Sequence, residues 1–161
     1  MDGSNETSHI EASAIHLLHR AGQCAEEFFS REIPDGTLTP RQFAVLASVA
    51  RNEGLRQTDL SALTGIDRST LADIVRRMVS KGLLTRRRTR EDARAYSVRL
   101  TDRGRAALEQ ATPAARAAER RILNLLAPGE RESFLATLSA LVEAAARHAA
   151  VDQGKVRQQL R

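Results

Sequence analysis

The chain has 161 residues, 42% hydrophobic and 28% charged, enough for one packed domain and too apolar for global disorder. No run of 18 or more apolar residues occurs and residues 1–8 are polar, so neither a membrane span nor a signal peptide is expected, and the cytoplasm is the expected location. The net charge of +5 is concentrated: residues 66–105 hold twelve Lys or Arg against five Asp or Glu, a local +7, while the remaining residues sum to −2. Such a patch is what a nucleic-acid duplex recruits through counterion release, although a solvated charged face has the same composition. One cysteine, Cys24, precludes an internal disulfide, and four scattered histidines give no metal-ligand spacing, so no cofactor or metal is expected.

In chain order, residues 1–8 and 151–161 lack apolar patterning and read as flexible ends. The spacing of Ile10, Ala14, Leu17, Leu18, Ala21, Cys24, Phe28 and Phe29 predicts a first amphipathic helix over 9–32, closed by Pro34-Asp35-Gly36. Thr39-Pro40 is a cap followed by proline at the first helical position, and Phe43, Val45, Leu46 and Val49 form the apolar face of a second helix ending at Asn52-Glu53-Gly54. A short third helix over 57–63 is followed by the Thr64-Gly65 turn. A fourth opens at the N-cap Asp67, with Ile66 and Leu71 placed as a hydrophobic staple, and stops at Gly82.

Two strand-like runs, 83–88 and 95–100, follow, the second alternating with Tyr96, Val98 and Leu100 inward. The charged residues 89–94 between them are too many for a tight turn and project as a loop. Thr101 caps a fifth helix to about 126, kinked at Pro113. After Ala127-Pro128-Gly129 a sixth helix carries Phe134, Leu135, Leu138, Leu141, Val142 and Ala145 on one face.

Short helix, glycine turn and second amphipathic helix make a helix-turn-helix pattern. In the second of these, Leu71, Ile74, Val75, Met78 and Val79 face the core. The opposite face presents Ser69, Thr70, Asp73, Arg76, Arg77 and Ser80, groups able to reach major-groove base edges and flanking phosphates. Hydroxyls in the first turn also stand where the helix N-terminus favours a phosphate. Arg86, Arg87 and Arg88 lead into the loop, which contains Arg90 and ends in Glu91-Asp92-Ala93-Arg94. An arginine on a protruding turn can enter a narrow minor groove, and Asp92 is placed to steady Arg94 through a charge-assisted pair.

Several of these segments resemble the MarR family. Leu38-Thr39-Pro40-Arg41-Gln42-Phe43-Ala44-Val45-Leu46 looks like the opening of its DNA-binding domain. Thr58-Asp59-Leu60 through Gly65-Ile66 and Ser69-Thr70-Leu71 resembles its helix-turn-helix. Lys81-Gly82-Leu83-Leu84-Thr85-Arg86, Asp92-Ala93-Arg94 and Leu100-Thr101-Asp102-Arg103-Gly104 look like the approach, tip and exit of its wing. The resemblance is strong over 38–105 and holds for the flanking helices by layout only. It implies a mostly helical winged helix-turn-helix fold with a small β-hairpin, a DNA-binding lobe over 38–105, and dimerisation helices at 9–37 and 106–150. It also implies a homodimeric repressor on an inverted-repeat duplex, with the fourth helix in the major groove and Arg94 in the minor groove.

Such repressors commonly hold a small anionic aromatic effector, and Leu17-Leu18-His19-Arg20-Ala21 looks like the first helix of relatives governing aromatic-acid catabolism, some sensing the acid and others its coenzyme A thioester. His16, His19, Arg20 and Gln23 form a polar strip beside the apolar stripe of that helix, suited to an aromatic body with an acidic or phenolic head. A solvated strip, or one in a dimer interface, would read the same way. Two further readings stay open: a peroxide sensor using Cys24, against which stands its place on the apolar stripe with no adjacent Lys or Arg, and an RNA- or protein-binding winged helix, of which the RNA form usually offers stacking aromatics, whereas this chain is 3% aromatic with Tyr96 alone near the basic region. His16 and His19 with Glu26 or Glu27 lack any nucleophile elbow, phosphate loop or carboxylate pair, so no enzyme is expected.

Overall fold

The computed structural model describes residues 13–33, 37–52, 54–88 and 96–159, with side chains through residue 148. The expected helix start at His9, the break at Pro34-Asp35-Gly36 and the loop bearing Arg90, Asp92 and Arg94 lie outside the described residues. The chain divides into two compact units, Met1–Ile122 and Leu123–Arg161. The first takes in the first helix and nearly all of the fifth.

In the first unit, α1 (Ala14–Glu32) starts where the Ser13 side chain accepts the His16 N–H at 3.2 Å. Only its C-terminal end enters the core: Phe29 and the following Ile33 are buried, while Ile15, Leu17 and Leu18 are exposed. The Phe29 ring meets Phe43 of α2 (Pro40–Arg51) at a centroid separation of 5.6 Å in a tilted arrangement, which suits the opposed charges of ring edge and face. α2 begins with a complete capping box, Thr39 Oγ1 accepting Gln42 N–H at 3.2 Å and Gln42 Oε1 accepting Thr39 N–H at 3.1 Å. Val45, Leu46 and Val49 carry its buried face.

α3 (Gln57–Thr64) and α4 (Arg68–Ser80) follow, joined through Gly65. Leu60 of α3 and Leu71, Val75 and Met78 of α4 have no solvent exposure, and Ile66, Ile74 and Val79 pack around them. α4 ends in a Schellman motif: Leu83 N–H donates to Met78 O and Gly82 N–H to Val79 O, both at 2.9 Å. The motif requires a left-handed residue after the C-cap Lys81, and Gly82 supplies it with φ +70°.

The chain then enters an antiparallel hairpin, β1 (Leu84–Arg88) and β2 (Tyr96–Leu100), in register from Leu84 opposite Leu100 to Arg88 opposite Tyr96. Val98 N–H also donates to Leu55 O at 2.9 Å, tying β2 to the segment before α3. Leu84 and Val98 are buried, but Tyr96 is only half-buried; the expected inward ring is instead capped by Arg86, whose guanidinium carbon sits 4.4 Å from the ring centroid.

α5 (Asp102–Leu123) buries Gly104, Ala111 and Ala118 and continues through Pro113. It stops three residues short of the expected end, since Ala127 precedes a proline and is held out of the helical region. Thr101 knots its start to the hairpin: Oγ1 donates to Gly82 O at 2.7 Å and accepts Gly104 N–H at 2.9 Å. Arg121 Nε meets Glu32 Oε1 at 2.7 Å, linking α5 to the end of α1.

In the second unit, a 3-10 turn (Pro128–Glu130) leads into α6 (Arg131–Gln159). A patternless tail was expected from residue 151, yet the backbone stays helical to Gln159. Elongating a formed helix costs little, and this segment has no proline and a single glycine. Phe134 and Leu138 are half-buried, whereas Leu135, Leu141 and Val142 are exposed.

Gly104 gives a direct test of how closely α5 meets the hairpin. A Cβ there would lie 2.0 Å from the Leu83 carbonyl oxygen and 3.2 Å from a Leu100 methyl. Gly104→Ala is expected to lower stability by about 2 kcal/mol or more, because a backbone oxygen cannot step aside as a side chain can. Gly129→Ala, with nothing within 4 Å, is expected to leave the thermal midpoint unchanged. Equal melting curves for the two variants would refute the close approach.

Candidate nucleic-acid interface

The turn between α3 and α4 is set by short side chains closing on backbone: Thr64 Oγ1 donates to Leu60 O at 2.7 Å, and Ser61 Oγ donates to Ile66 O at 2.6 Å. Gly65 sits at φ +66° between them. α4 therefore leaves the turn at a fixed angle, and Asp67 caps it. Asp67 Oδ1 accepts from Thr70 N–H at 2.9 Å and from Ser69 Oγ at 2.6 Å. These bonds, the Ser69 hydroxyl's first and then those from Thr70, hold the Asp67 carboxyl well below the usual carboxylate range. The cap is thus ionised throughout the physiological range and loses its charge only in strong acid. It also revises the expected phosphate seat: the Ser69 hydroxyl proton and the Thr70 amide are already spent on Asp67.

Further along the same face, Asp73 Oδ1 pairs with Arg76 Nη2 at 2.7 Å and Oδ2 with Arg77 Nη2 at 3.1 Å. The Arg76 hydrogen bond and charge, then Arg77, hold the Asp73 carboxyl below its ordinary value. Ser69, Arg76, Arg77 and Ser80 are exposed and Thr70 and Asp73 half-buried, so the six residues expected to share the outer face do so. Arg86, Arg87 and Arg88 are exposed along β1, beyond the end of α4. Two arrangements escaped the sequence reading. The Asp73 bridge joins three residues expected as separate groove contacts, at the i,i+3 and i,i+4 spacing that lets such pairs form. The Arg86–Tyr96 stack required the strand register, which the sequence left open.

A cleft of about 790 Å³ opens between the ends of α1 and α2 and the outer side of α4, lined among others by Ser30, Arg41, Gln42, Thr70, Asp73 and Arg77. Arg41 Nη2 stands 3.9 Å from Glu26 Oε1 beside it. None of His16, His19, Arg20 or Gln23 lines it; His16 is half-buried and the other three are exposed on α1. Cys24 is exposed, although it lies on the apolar stripe of α1. Among the described residues no helix is long and apolar enough to cross a membrane.

The sequence model of the MarR family matches residues 37–95. The transcriptional regulator HosA of Escherichia coli is 31% identical over 126 residues, spanning 78% of this chain and 92% of that protein. The transcriptional repressor NicR of Pseudomonas putida is 30% identical over 128 residues, spanning 80% of this chain and 81% of its own length. Among solved structures, BpsR of Bordetella bronchiseptica, whose DNA binding is regulated by 6-hydroxynicotinic acid, superposes with a TM-score of 0.78 at 30% identity over 84% of this chain and 97% of that one. HosA and NicR are transcriptional regulators. With an exposed polar face on α4, arginines exposed along β1 and these matches along most of its length, the chain belongs to the MarR family of transcriptional regulators.

Proposed function

We propose that this regulator is a homodimeric repressor that binds an inverted-repeat duplex and is released by a small aromatic acid or its coenzyme A thioester. The observation that carries the DNA-reading part is the outer face of α4. Ser69, Thr70, Arg76 and Arg77 are held outward by the fully buried Leu71, Val75 and Met78. Guanidinium forks on such a helix suit guanine edges, and the Ser69 and Thr70 hydroxyl oxygens keep lone pairs for a base donor. Arg86, Arg88 and Arg90 would meet flanking phosphates, and Arg94, steadied by Asp92, the adjacent minor groove. Supporting a dimer, α1 leaves Ile15, Leu17 and Leu18 exposed and α6 leaves Leu135, Leu141 and Val142 exposed. Apolar surface on this scale calls for a covering partner, and a second copy supplies one with the twofold symmetry of an inverted repeat.

Two recognition helices in successive major grooves, about 34–36 Å apart, should give a footprint of paired half-sites and binding that weakens steeply with salt. Arg94→Ala should weaken binding strongly with fold and dimer intact. A single half-site acting as the full operator, or wild-type affinity in Arg94→Ala, would overturn the dimer or the wing assignment respectively.

For the effector, His16, His19, Arg20 and Gln23 are proposed to present donors to an acidic or phenolic head, with Arg20 pairing a carboxylate. The example of BpsR supports an aromatic acid as the ligand class. Titrating hydroxycinnamates, benzoates and their coenzyme A thioesters against the protein–duplex complex should release DNA, and Arg20→Ala should abolish the release. If none releases DNA while an unrelated ligand does, the assignment fails. The exposure of Cys24 favours one second reading, a thiol sensor. Peroxide that released DNA from wild type but not from Cys24→Ser would establish it.

A further inference from the structure

Asp73 stands in the middle of the recognition face, with a guanidinium on each of its two oxygens. An exposed pair at i,i+3 or i,i+4 adds little to helix stability, so the arrangement has small value as a structural brace. Its consequence lies in the arginines. Both remain mostly exposed, 71% and 68%, and each guanidinium has five N–H donors, so pairing with Asp73 leaves donors free for a base. A long side chain already held in one orientation loses less freedom on docking than one that wanders. The carboxylate also cancels one of the two positive charges, which weakens attraction to phosphates of any sequence.

We infer that Asp73 is a positioning residue for sequence discrimination: it orients Arg76 and Arg77 toward base edges and damps their attraction for phosphate, and does not itself read a base. This rests on α4 being the helix that reads DNA. An acid in a major groove can otherwise accept from cytosine N4; here each oxygen is already turned toward one of the protein's own arginines, and any base contact through the remaining lone pairs is what the double-arginine background below separates.

The test uses the full chain. Wild type first selects its preferred duplex from a randomised pool. Binding to that duplex and to a shuffled one of equal composition is then followed by fluorescence anisotropy between roughly 50 and 200 mM salt. Asp73→Asn is expected to tighten binding to the shuffled duplex severalfold, steepen the logarithmic salt slope by about one, and cut the preference for the selected duplex roughly tenfold. Asp59→Asn, the same charge change on the first turn of α3, should alter affinity for both duplexes alike and leave the preference intact. In an Arg76→Gln/Arg77→Gln background, measured at the lowest salt, Asp73→Asn should no longer change the preference, since nothing remains to be oriented. Matching thermal melts exclude loss of fold. A preference loss that persists in that background would mean Asp73 reads a base directly. A preference untouched by Asp73→Asn would mean the pairing has no role. A wild type that selects no duplex would remove the reading of α4 itself, and the inference with it.

Discussion

The apolar contact beneath α4 is the constraint on which the rest depends. Leu71, Val75 and Met78 are sealed against Val45, Leu46, Val49, Leu60 and Val98, all without solvent exposure. Turning α4 by a single residue's 100° would expose these three side chains, at roughly 1.5–3 kcal/mol each. The rotation of the helix is therefore fixed by packing, and with it the direction in which Ser69, Thr70, Arg76 and Arg77 point. A reading face needs this rigidity, because hydrogen bonds to base edges tolerate little displacement.

The same core carries the hairpin. Leu83 and Leu84 leave the Schellman turn straight into buried positions, and Val98 locks the second strand to the segment before α3. Thr101 then closes the circuit by bonding the Gly82 carbonyl and the Gly104 amide together. Three short-range devices, a glycine turn, a threonine knot and a glycine contact, thus set where β1 leaves the domain. Its arginines follow from that placement, with Arg86 further restrained by the Tyr96 ring.

Much of this was legible in the sequence because it rests on local chemistry. Thr39-Pro40 and Asp67 marked helix starts through side-chain oxygens that satisfy free N–H groups, and Gly82 marked a stop through its backbone freedom. The period-3.6 pattern placed Leu71, Val75 and Met78 inward and the arginines outward. What failed to show was anything set by neighbours distant in sequence. The register that brings Arg86 onto Tyr96 is one case. The cleft, assembled from α1, α2 and α4, is another, and it drew its lining from Ser30, Arg41 and Arg77, not from the polar strip visible on α1 alone. Cys24 illustrates a third limit: an apolar stripe gives a direction on a helix, not what covers it, and along α1 Phe29 is buried while Leu17, Leu18 and Cys24 are exposed. The continuation of α6 past residue 151 shows that helix can outlast its hydrophobic pattern when no breaker intervenes.

We propose that α4 and the hairpin are the surface that meets DNA. Hydrogen exchange of the full chain, free and bound to a duplex it has selected, reads this directly. The account predicts slowed exchange over Arg68–Ser80 and along Leu84–Arg88 and Tyr96–Leu100 on binding, with the exposed face of α6 unprotected by the duplex. Protection confined to α6, or a complex that leaves α4 exchanging as in the free protein, would contradict it.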